Sequence, residues 1–341
     1  MQDLRPIVQL LQKQTWVTSR NIRTIMGCVD EEITKIAGIL VERGLPLVHD
    51  KAKGYSLDYP VFLIDEERLI SLLTSAKLIS AERLSVLDEI DSTNNKLLSF
   101  DEIETLHGRI CIAEYQNSGR GRHGRSWVAA GYQNLTFSLA WRIQELNHDL
   151  SSVSLVVGLA LCLCLEEMVG HDVKLKWPND IVCSDGKLAG ILAETRGIES
   201  GEFYVVIGVG VNIKHPDSTA FGQAMIGRPI AELSKMIDEP CDRTELFVKL
   251  LSSLQKELAE FDAHGFMNFV QKWNDRDACI DRPVVGTIGK NIIHGKGLGV
   301  DDTGAYRIVD TAGQMHRLIS GELGIHQEVS SICLDQGVDP H

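Results

Sequence analysis

The sequence predicts an α+β fold in three parts, and three observations lead to this prediction. Short helical periods and then two short strands occupy residues 4–59. Strand-like and helix-like stretches alternate over residues 89–275, which is typical of a sheet packed against helices. From Arg282 onward, closely spaced glycines separate short strands, as in a small β-barrel. The predicted divisions are 1–65, a connector at 66–88, the core at 89–275, the barrel at 276–330 and a frayed tail at 331–341.

Length and composition exclude several classes of protein. The chain has 341 residues, a formal net charge of −13 and eight cysteines without a Cys-x-x-Cys pair, which argues against zinc fingers and redox motifs. The longest nearly apolar run, 155–165, is shorter than the roughly twenty residues of a bilayer span. The first twenty residues lack the pattern of a secretory signal. We therefore expect a cytoplasmic protein without a membrane segment, in which Cys162 and Cys164 are core thiols.

The N-terminal segment has the pattern of a winged helix-turn-helix. Three amphipathic periods begin near residues 5, 19 and 30; Ser19 is the expected cap of the second, and Gly27 ends it. Residues 45–57 read as a two-stranded hairpin. Together these features predict three helices followed by a small wing.

Charge leaves the role of this segment open. Residues 1–65 hold eight basic and eight acidic side chains, so no positive field favours nucleic acid. The third helix, which would enter the major groove, begins with Asp30, Glu31 and Glu32. DNA binding through region 18–40 therefore competes with a degenerate, a purely structural or an interdomain role.

The connector and the core contain well-separated elements. Strands are predicted at 109–116, 134–142, 173–177, 187–195 and 203–213, and helices at 65–78, 151–169, 244–263 and 267–274.

The densest chemical signal is the segment Gln116–Trp127, in which glycines alternate with arginines. Gly119, Gly121 and Gly124 spell G-x-G-x-x-G, but a strand rather than a helix follows, which argues against dinucleotide binding. Guanidinium groups clamp carboxylate and phosphate oxygens, and glycines allow close approach of the backbone. This pattern favours an anionic ligand under a mobile loop. An exposed solvated loop and a loop for single-stranded nucleic acid are the alternatives.

Three further polar clusters lie elsewhere in the core. Pro178 ends a strand, so that Asn179 and Asp180 are displayed. Lys187 begins an apolar strand, either at a solvated edge or as the partner of an anion. Residues 91–95 have the pattern of a helix cap, whose hydroxyl and amide groups can also bind a polar ligand.

Four motifs resemble those of one family. E-I-D-S-T-N-N (89–95), Q-N-S-G-R-G-R-H-G-R-S-W (116–127), K-W-P-N-D (176–180) and K-L-A-G-I-L (187–192) are closely similar, in order and spacing, to the catalytic domain of the biotin protein ligases. The resemblance covers about residues 5–328. It implies a core that resembles class II synthetases, the N-terminal winged helix and a C-terminal SH3-like barrel of the bifunctional ligase/repressor class.

The resemblance also implies a reaction and a set of site residues. Biotin and ATP form biotinyl-5′-adenylate and pyrophosphate, and a carrier lysine then takes the biotinyl group, with release of AMP. The implied catalytic residues are Arg120, Arg122, Asp180 and Lys187. The implied biotin-binding residues are Ser92, Thr93, Asn94, Gln116, Arg120, Gly121, Arg122 and Lys187. The implied nucleotide-binding residues are Arg122, Trp127, Lys176, Asn179 and Asn212.

The implied ligands and partners complete this expectation. ATP and biotin are the substrates, and Mg²⁺ on the ATP phosphates is expected to contact Asp180. The partners are the biotin carboxyl carrier protein of acetyl-CoA carboxylase, biotin operator DNA and a second copy of the chain once adenylate is bound. A second ligand loop is expected near 213–227, with Phe221, Met225 and Ile226 as apolar covers. The alternatives are a ligase with a vestigial winged helix and a transcription factor that only senses biotin.

Overall fold

A computed structural model describes residues 3–78, 81–143, 152–170, 172–197, 203–216, 229–289 and 291–325. The chain divides into two compact units: the first is Met1–Trp141, Val206–Ile226 and Glu232–Val248, and the second is Arg142–Val205, Gly227–Ala231 and Lys249–His341. The predicted apolar covers Phe221, Met225 and Ile226 and the predicted frayed tail at 331–341 lie outside the described residues. In the described part of the chain, no helix has the length and apolar character that a membrane span requires.

Most elements lie close to their predicted positions, but the strands Leu84–Ile90 and Asp180–Cys183 were not predicted, and the first of them begins inside the predicted connector. The helices are α1 (Arg5–Lys13), α2 (Ser19–Met26), α3 (Asp30–Glu42), α4 (Glu66–Ser75), α5 (Thr93–Leu98), α6 (Val153–Val169), α7 (Arg243–His264) and α8 (Val270–Asn274). The strands are β1 (Leu47–Asp50), β2 (Gly54–Leu57), β3 (Leu84–Ile90), β4 (Ile110–Gln116), β5 (Leu135–Ile143), β6 (Lys174–Lys176), β7 (Asp180–Cys183), β8 (Gly186–Gly197), β9 (Phe203–Val211), β10 (Pro283–Ile288), β11 (Asn291–Val300), β12 (Tyr306–Val309), β13 (Met315–Leu318) and β14 (Glu322–Ile325). The expectation of a mixed α/β protein is confirmed.

The N-terminal segment of the first unit consists of three helices and an antiparallel strand pair. Its apolar residues form one core, whose buried members include Ile7, Val8, Ile22, Ile36 and Leu40, and Tyr132 from the segment before β5 packs into this core. The prediction that Ser19 caps α2 is wrong by one residue. Thr18 precedes the helix, and it forms a reciprocal capping box with Asn21. Gly27 ends α2 with φ of 62°, a left-handed conformation that suits glycine.

The acidic start of α3 has structural roles that the sequence pattern does not reveal. The Glu32 carboxylate accepts a hydrogen bond from the Val29 backbone at 2.9 Å, as in a capping box. The Arg23 guanidinium lies 3.1 Å from the Asp30 carboxylate. Two of the three acidic groups are therefore engaged within the helical segment itself, and they suit the positive end of the helix dipole.

A sheet forms the centre of the first unit. Strands β3 and β4 are parallel, and β5 pairs antiparallel with β4, with Ile110 opposite Leu139 and Ala113 opposite Thr136. The predicted strand at 109–116 is confirmed as β4, whose first five residues are buried. Strand β9 continues into this unit from Val206 onward. The carboxyl end of β4 carries Gln116, so the sheet places this side chain near the start of α5.

The second unit contains a buried helix beside an antiparallel sheet. Helix α6 is apolar on all sides, as expected of a buried helix. Most of its residues are buried, including Cys162 and Cys164. The expectation that these two cysteines are core thiols is therefore confirmed. Strands β6, β7 and β8 are adjacent in this order, and both neighbouring pairs run antiparallel.

The C-terminal part of the second unit is an antiparallel five-stranded sheet in the order β13-β12-β11-β10-β14. Its glycines allow close packing, as an added Cβ at Gly286 would lie 2.6 Å from a Leu318 methyl group. The sheet is anchored to the segment before β7: the indole N–H of Trp177 donates to the Gly304 carbonyl at 3.2 Å. The Tyr306 hydroxyl donates to Asp277 at 2.7 Å, and both residues are buried.

Candidate active site

Helix α5 begins in a buried polar cluster of the first unit. Ser92 precedes the helix, and its hydroxyl accepts from the Asn95 backbone, so the predicted capping role is confirmed. Ser92, Thr93 and Asn94 are each no more than 3 % exposed. Buried polar groups require partners, and three consecutive polar residues at one helix start concentrate hydrogen-bonding capacity in a small volume.

Side chains from two neighbouring strands complete this cluster. Gln116, at the end of β4, accepts from the Thr93 backbone at 2.7 Å and from its hydroxyl at 3.1 Å. The hydroxyl of Ser138, on β5, lies 2.7 Å from Thr93 Oγ1 and 2.6 Å from Asn94 Oδ1. We define Ser92, Thr93, Asn94, Gln116 and Ser138 as the polar cluster. It combines donors and acceptors within a buried site, which suits a compact polar head group.

The loop after β4 is folded back on itself. The Gly121 backbone donates to the Arg125 carbonyl at 2.7 Å, and Trp127 donates to the Gly119 carbonyl at 2.8 Å. A side chain at Gly119 would overlap the Trp127 carbonyl. His123 has φ of 55°, an uncommon value for a residue with a side chain. The glycines of the motif thus permit a tight turn, and no helix follows it before β5. The prediction that the motif is not a dinucleotide fingerprint is confirmed.

Two glycines of β9 bring this loop beside the polar cluster. A side chain at Gly208 would overlap Asn94 Oδ1, and one at Gly210 would overlap the indole ring of Trp127. Residues two apart on a strand face the same side of a sheet. Asn94 and Trp127 therefore lie against one face of β9, so the start of α5 and the end of the loop line a common region.

The side chain of the buried Asn134 holds the residues that follow β9, close to Asn212. Asn212 is 2 % exposed, and its carbonyl accepts from the Leu233 backbone at 2.9 Å. The side-chain oxygen of Asn134 accepts from the backbones of Ile213 (2.7 Å) and Lys214 (3.0 Å). Asn134 is itself buried. These contacts determine the path of the chain around Asn212.

The second unit carries the other predicted residues. Lys176 ends β6, and Trp177 is joined to Pro178 by a cis peptide bond. Asn179 is held by two hydrogen bonds to Ile191. Its side-chain amide donates to the Ile191 carbonyl at 2.7 Å, and its main-chain carbonyl accepts from the Ile191 backbone N–H at 3.0 Å. Asp180 then begins β7 and lies opposite Gly190 of β8.

Lys187 is paired with Asp180. The two charged groups lie 2.6 Å apart, and the side chains are 29 % and 28 % exposed. Backbone hydrogen bonds fix the position of Lys187, which donates to the Pro229 carbonyl at 2.9 Å and accepts from Ala231 at 3.1 Å. Gly186 has φ of 131°, and a side chain there would overlap Pro229. The pair is half-buried, so the ammonium group is partly accessible to solvent while the backbone of Lys187 stays fixed.

The pKa values of one carboxyl group beside the polar cluster and of three buried thiols are shifted from their ordinary values. A hydrogen bond of 2.6 Å from the Asn95 amide lowers the pKa of Asp91, beside the polar cluster. Burial raises the pKa of Cys111 to about 12, of Cys162 to about 12 and of Cys164 to about 11. These three thiols are protonated at neutral pH and are unsuited to nucleophilic attack.

The predicted site residues fall into two groups, one in each unit. Ser92, Thr93, Asn94, Gln116, Arg120, Gly121, Arg122, Trp127 and Asn212 belong to the first unit, and Lys176, Asn179, Asp180 and Lys187 belong to the second. Sequence reasoning missed Ser138, Asn134, Gly208 and Gly210. The run Gly208-Val209-Gly210 within an apolar strand was an available signal, since glycine in a strand often marks close approach of another group.

Comparison with known proteins gives a consistent family. Residues 86–212 match the model of the biotin/lipoate A/B protein ligase family. The bifunctional ligase/repressor BirA of Salmonella typhimurium is 32 % identical over 322 residues, which cover 94 % of this chain and 96 % of that protein. The biotin–acetyl-CoA-carboxylase ligase of Paracoccus denitrificans is 32 % identical over 234 residues, which cover 67 % of this chain and 95 % of that protein.

A solved structure shows the same relationship. The biotin protein ligase of Aquifex aeolicus in complex with biotin and ATP matches with a TM-score of 0.61 and 28 % identity. The match covers 71 % of this chain and 98 % of the Aquifex chain.

Proposed function

Because the chain belongs to the biotin/lipoate protein ligase family, we propose that it is a biotin protein ligase that activates biotin with ATP and transfers it to a carrier-protein lysine. The observation that carries this proposal is the buried polar cluster beside the loop that follows β4, residues 117–131, which we call the arginine-glycine loop. Biotin has a ureido ring with one carbonyl acceptor and two N–H donors, so its site must offer both kinds of partner. Thr93, Gln116 and Ser138 supply such groups in a buried site.

The first step joins two anions, and this requires positive charge. The biotin carboxylate oxygen attacks the α-phosphorus of ATP, an O–P bond forms, and pyrophosphate leaves. We assign Arg120, Arg122 and Lys187 to hold the two anions together and to stabilise the charge that develops on the phosphoryl oxygens. Gly121 allows the backbone to approach the ligand, because it carries no side chain.

The nucleotide contacts are assigned to a second set of residues. Trp127 offers an aromatic surface, while Lys176, Asn179 and Asn212 offer polar groups to the nucleotide. Mg²⁺ prefers phosphate and carboxylate oxygens, and Asp180 supplies a ligand of that type. The described residues contain no group of three His, Cys, Asp or Glu side chains that could hold a metal, so the ATP phosphates would provide most of its ligands. The ion would neutralise charge on the departing pyrophosphate.

The second step transfers the biotinyl group. The amine of the carrier lysine attacks the acyl carbon of the mixed anhydride, a C–N bond forms, and AMP leaves. Asp180 is our candidate to accept the proton that the amine loses. Exclusion of water from the anhydride before this step is assigned to the loop 119–128, because water would otherwise hydrolyse the intermediate. The carrier is the biotin carboxyl carrier protein of acetyl-CoA carboxylase.

We assign DNA binding to the N-terminal helices and wing. Helices α1–α3 and strands β1–β2 have the order of a winged helix-turn-helix, and Asp30 at the start of α3 is paired with Arg23 of α2. Two Lys residues, Lys51 and Lys53, lie in the exposed wing turn. We propose that a dimer formed on adenylate binding binds biotin operator DNA through region 18–40. The five-stranded C-terminal sheet is proposed to close as an SH3-like barrel.

Labelling of an acceptor tests the enzymatic proposal. The protein is incubated with biotin, Mg-ATP and a purified carrier domain, and the carrier is examined by mass spectrometry. A mass increase of one biotinyl group on the acceptor lysine is expected. Tight adenylate or biotin binding without labelling would instead support a sensor that lacks ligase activity.

A gel-shift experiment tests the DNA-binding proposal separately. At a stated salt concentration, we expect operator DNA to shift only when biotin and ATP are both present. A protein that labels the carrier but never shifts the operator would be a ligase with a vestigial winged helix.

A further inference from the structure

Arg43 occupies an unusual position at the end of α3. It is the residue that follows the helix, and it is only 5 % exposed. A buried guanidinium requires a full set of acceptors, because the cost of leaving charge unpaired in the interior is large. Its Nη1 donates to Asp88 at 3.0 Å and to the Tyr132 hydroxyl at 2.9 Å, and its Nη2 pairs with Glu89.

The partners of Arg43 are also satisfied by other groups. Asp88 accepts from the Leu4 backbone at 3.0 Å and from the Tyr132 hydroxyl at 2.9 Å. Asp88 and Tyr132 are both buried. A buried network in which each polar group has a partner holds one geometry, because any alternative leaves a charge uncompensated. We call Arg43, Asp88, Glu89 and Tyr132 the Arg43 network.

Glu89 connects this network to Asn117, the first residue of the arginine-glycine loop. The second carboxylate oxygen of Glu89 accepts from the Asn117 side chain at 2.9 Å. Asn117 follows β4 directly, and its backbone donates to the Ile90 carbonyl at 3.0 Å. Arg43 therefore fixes the start of the loop through a single intervening carboxylate.

Arg43 also contacts Gly131 and Tyr132, which lead from the loop into β5. The main-chain carbonyl of Arg43 accepts from the Gly131 backbone at 2.6 Å, a contact that does not depend on the guanidinium, and Nη1 of Arg43 donates to the hydroxyl of the next residue, Tyr132, at 2.9 Å. A side chain at Gly131 would lie 3.1 Å from that carbonyl and 3.1 Å from the Tyr115 ring, so this contact favours glycine. The next residue, Tyr132, donates its backbone N–H to the Glu114 carbonyl at 3.0 Å and its ring lies in the N-terminal core.

We propose that Arg43 is a positioning residue for the ligand loop, because it fixes both ends of the segment 117–131. The N-terminal helical segment thereby supports closure of the loop over the ligand, in addition to its proposed role in DNA binding. This inference rests on the proposed ligase function, since the loop is the element assigned to hold the adenylate. Arg43 is assigned no contact with biotin or ATP, and its side chain acts through Glu89 and Tyr132.

Substitution of Arg43 and Glu89 tests this proposal. Trypsin cleavage after the loop arginines reports loop order, and steady-state kinetics separate KM for biotin from kcat. Arg43→Met is expected to accelerate loop cleavage and to raise KM for biotin about tenfold with a smaller change in kcat. Arg43→Lys, which retains a charge but not the branched donor, should restore part of the difference.

Glu89→Ala provides a milder variant, because Glu89 is partly exposed and Arg43 keeps Asp88 and Tyr132 as partners. It should accelerate cleavage of the loop. Glu89→Gln should restore it only in part, because one amide oxygen cannot accept from Arg43 and from Asn117 in the places of the two carboxylate oxygens. Full restoration by Glu89→Gln would contradict the role assigned to Arg43. Arg68→Met is the matched control: Arg68 pairs with Asp242 and Glu245 in the same unit but contacts neither end of the loop. It should leave cleavage and KM near wild-type values.

Two outcomes separate this inference from the proposed function. If every variant labels the carrier with wild-type KM and wild-type loop cleavage, Arg43 is merely structural and the inference is wrong while the ligase function stands. If the wild-type protein labels no carrier but Arg43→Met and Glu89→Ala still accelerate cleavage, the loop anchor is real and the proposed function fails. If Arg43→Met does not fold, Glu89→Ala and its Gln rescue decide the matter alone.

Discussion

At the scale of residues, the chemistry depends on a few side chains that the fold holds in defined places. Lys187 and Asp180 form a half-buried pair in which each limits the motion of the other. The spacing of the motifs identified both residues, but it did not predict their pairing, which results from the antiparallel register of β7 and β8. Register depends on contacts between strands that no local pattern records.

Replacement of Lys187 by alanine tests its assigned role. Because the ammonium group is assigned to stabilise charge that develops during attack on the α-phosphate, Lys187→Ala should slow adenylate formation roughly 100-fold. The side chain is 29 % exposed, so the fold should survive. Pyrophosphate release under single-turnover conditions is the measurement.

Lys296→Ala is the control for this change. Lys296 forms an ion pair of the same length, 2.6 Å, with Asp281 at an exposed position. Its removal should leave the rate unchanged. Equal rates for wild-type protein and Lys187→Ala would exclude Lys187 from the mechanism.

A methyl group at Gly208 tests the polar cluster. The added Cβ would overlap Oδ1 of the buried Asn94, so the asparagine must move or the strand must shift. We expect Gly208→Ala to destabilise the protein by about 1–3 kcal/mol and to raise KM for biotin about tenfold. Thermal unfolding and initial rates at varied biotin concentration provide the two values.

Gly38→Ala supplies the comparison. Gly38 lies in α3 with open space around it, so alanine should stabilise the helix by about 0.5–1 kcal/mol without effect on KM. A Gly208→Ala enzyme with unchanged KM for biotin would show that the polar cluster does not bind the substrate.

At the scale of elements, the arginine-glycine loop was the most informative part of the sequence. Its composition predicted an anion-binding turn, and its departure from a strand-to-helix turn correctly excluded a dinucleotide fingerprint. What could not be predicted is its attachment: Trp127 packs against Gly210, and Asn117 bonds to Glu89. These contacts join residues that are distant in the chain, and periodicity describes only neighbouring residues.

Two arginines of the loop should differ in function. Arg122 is assigned to the ligand, whereas no such role is assigned to Arg125. Arg122→Ala should therefore release biotinyl-adenylate about tenfold faster, while Arg125→Ala should retain it at the wild-type rate. Release is followed by rapid filtration of the preformed complex. Equal release from the two variants would show that the loop holds the ligand by shape and not by the Arg122 charge.

At the scale of the whole molecule, each unit has its own anchors. In the second unit, Asp277 accepts from Tyr306 and from the Cys279 backbone, so it joins the C-terminal sheet to the segment that precedes it. Burial raises the pKa of Asp277 to about 6. The sequence pattern predicted the helix before Asp277 and the strands after it but gave no indication of this buried carboxyl group, because burial is a property of the assembled unit.

The raised pKa of Asp277 predicts a definite pH dependence of stability. A carboxyl group with a folded-state pKa above its unfolded value binds more protons in the folded state, so its contribution to stability grows as the pH falls from 7 to 5. As the pH falls from 7 to 5, the free energy of unfolding of the wild-type protein should rise by about 1 kcal/mol relative to that of Asp277→Asn. Denaturant unfolding at both pH values measures the difference.

Asp3→Asn is the control for this titration. A hydrogen bond from Arg5 lowers the pKa of Asp3, so Asp3 does not titrate between pH 7 and 5. The stability difference between wild-type protein and Asp3→Asn should be constant over this range. A constant difference for Asp277→Asn as well would contradict the assigned titration of Asp277.

Retention of the activated intermediate tests the central claim most directly. The protein is mixed with stoichiometric biotin and Mg-ATP, free ligands are removed, and the bound biotinyl-adenylate is measured over time without a carrier. The account predicts that bound adenylate persists far longer than free adenylate in the same buffer and is consumed when carrier is added. Loss of the bound adenylate at the rate measured for the free compound would show that the loop and its cations do not protect it.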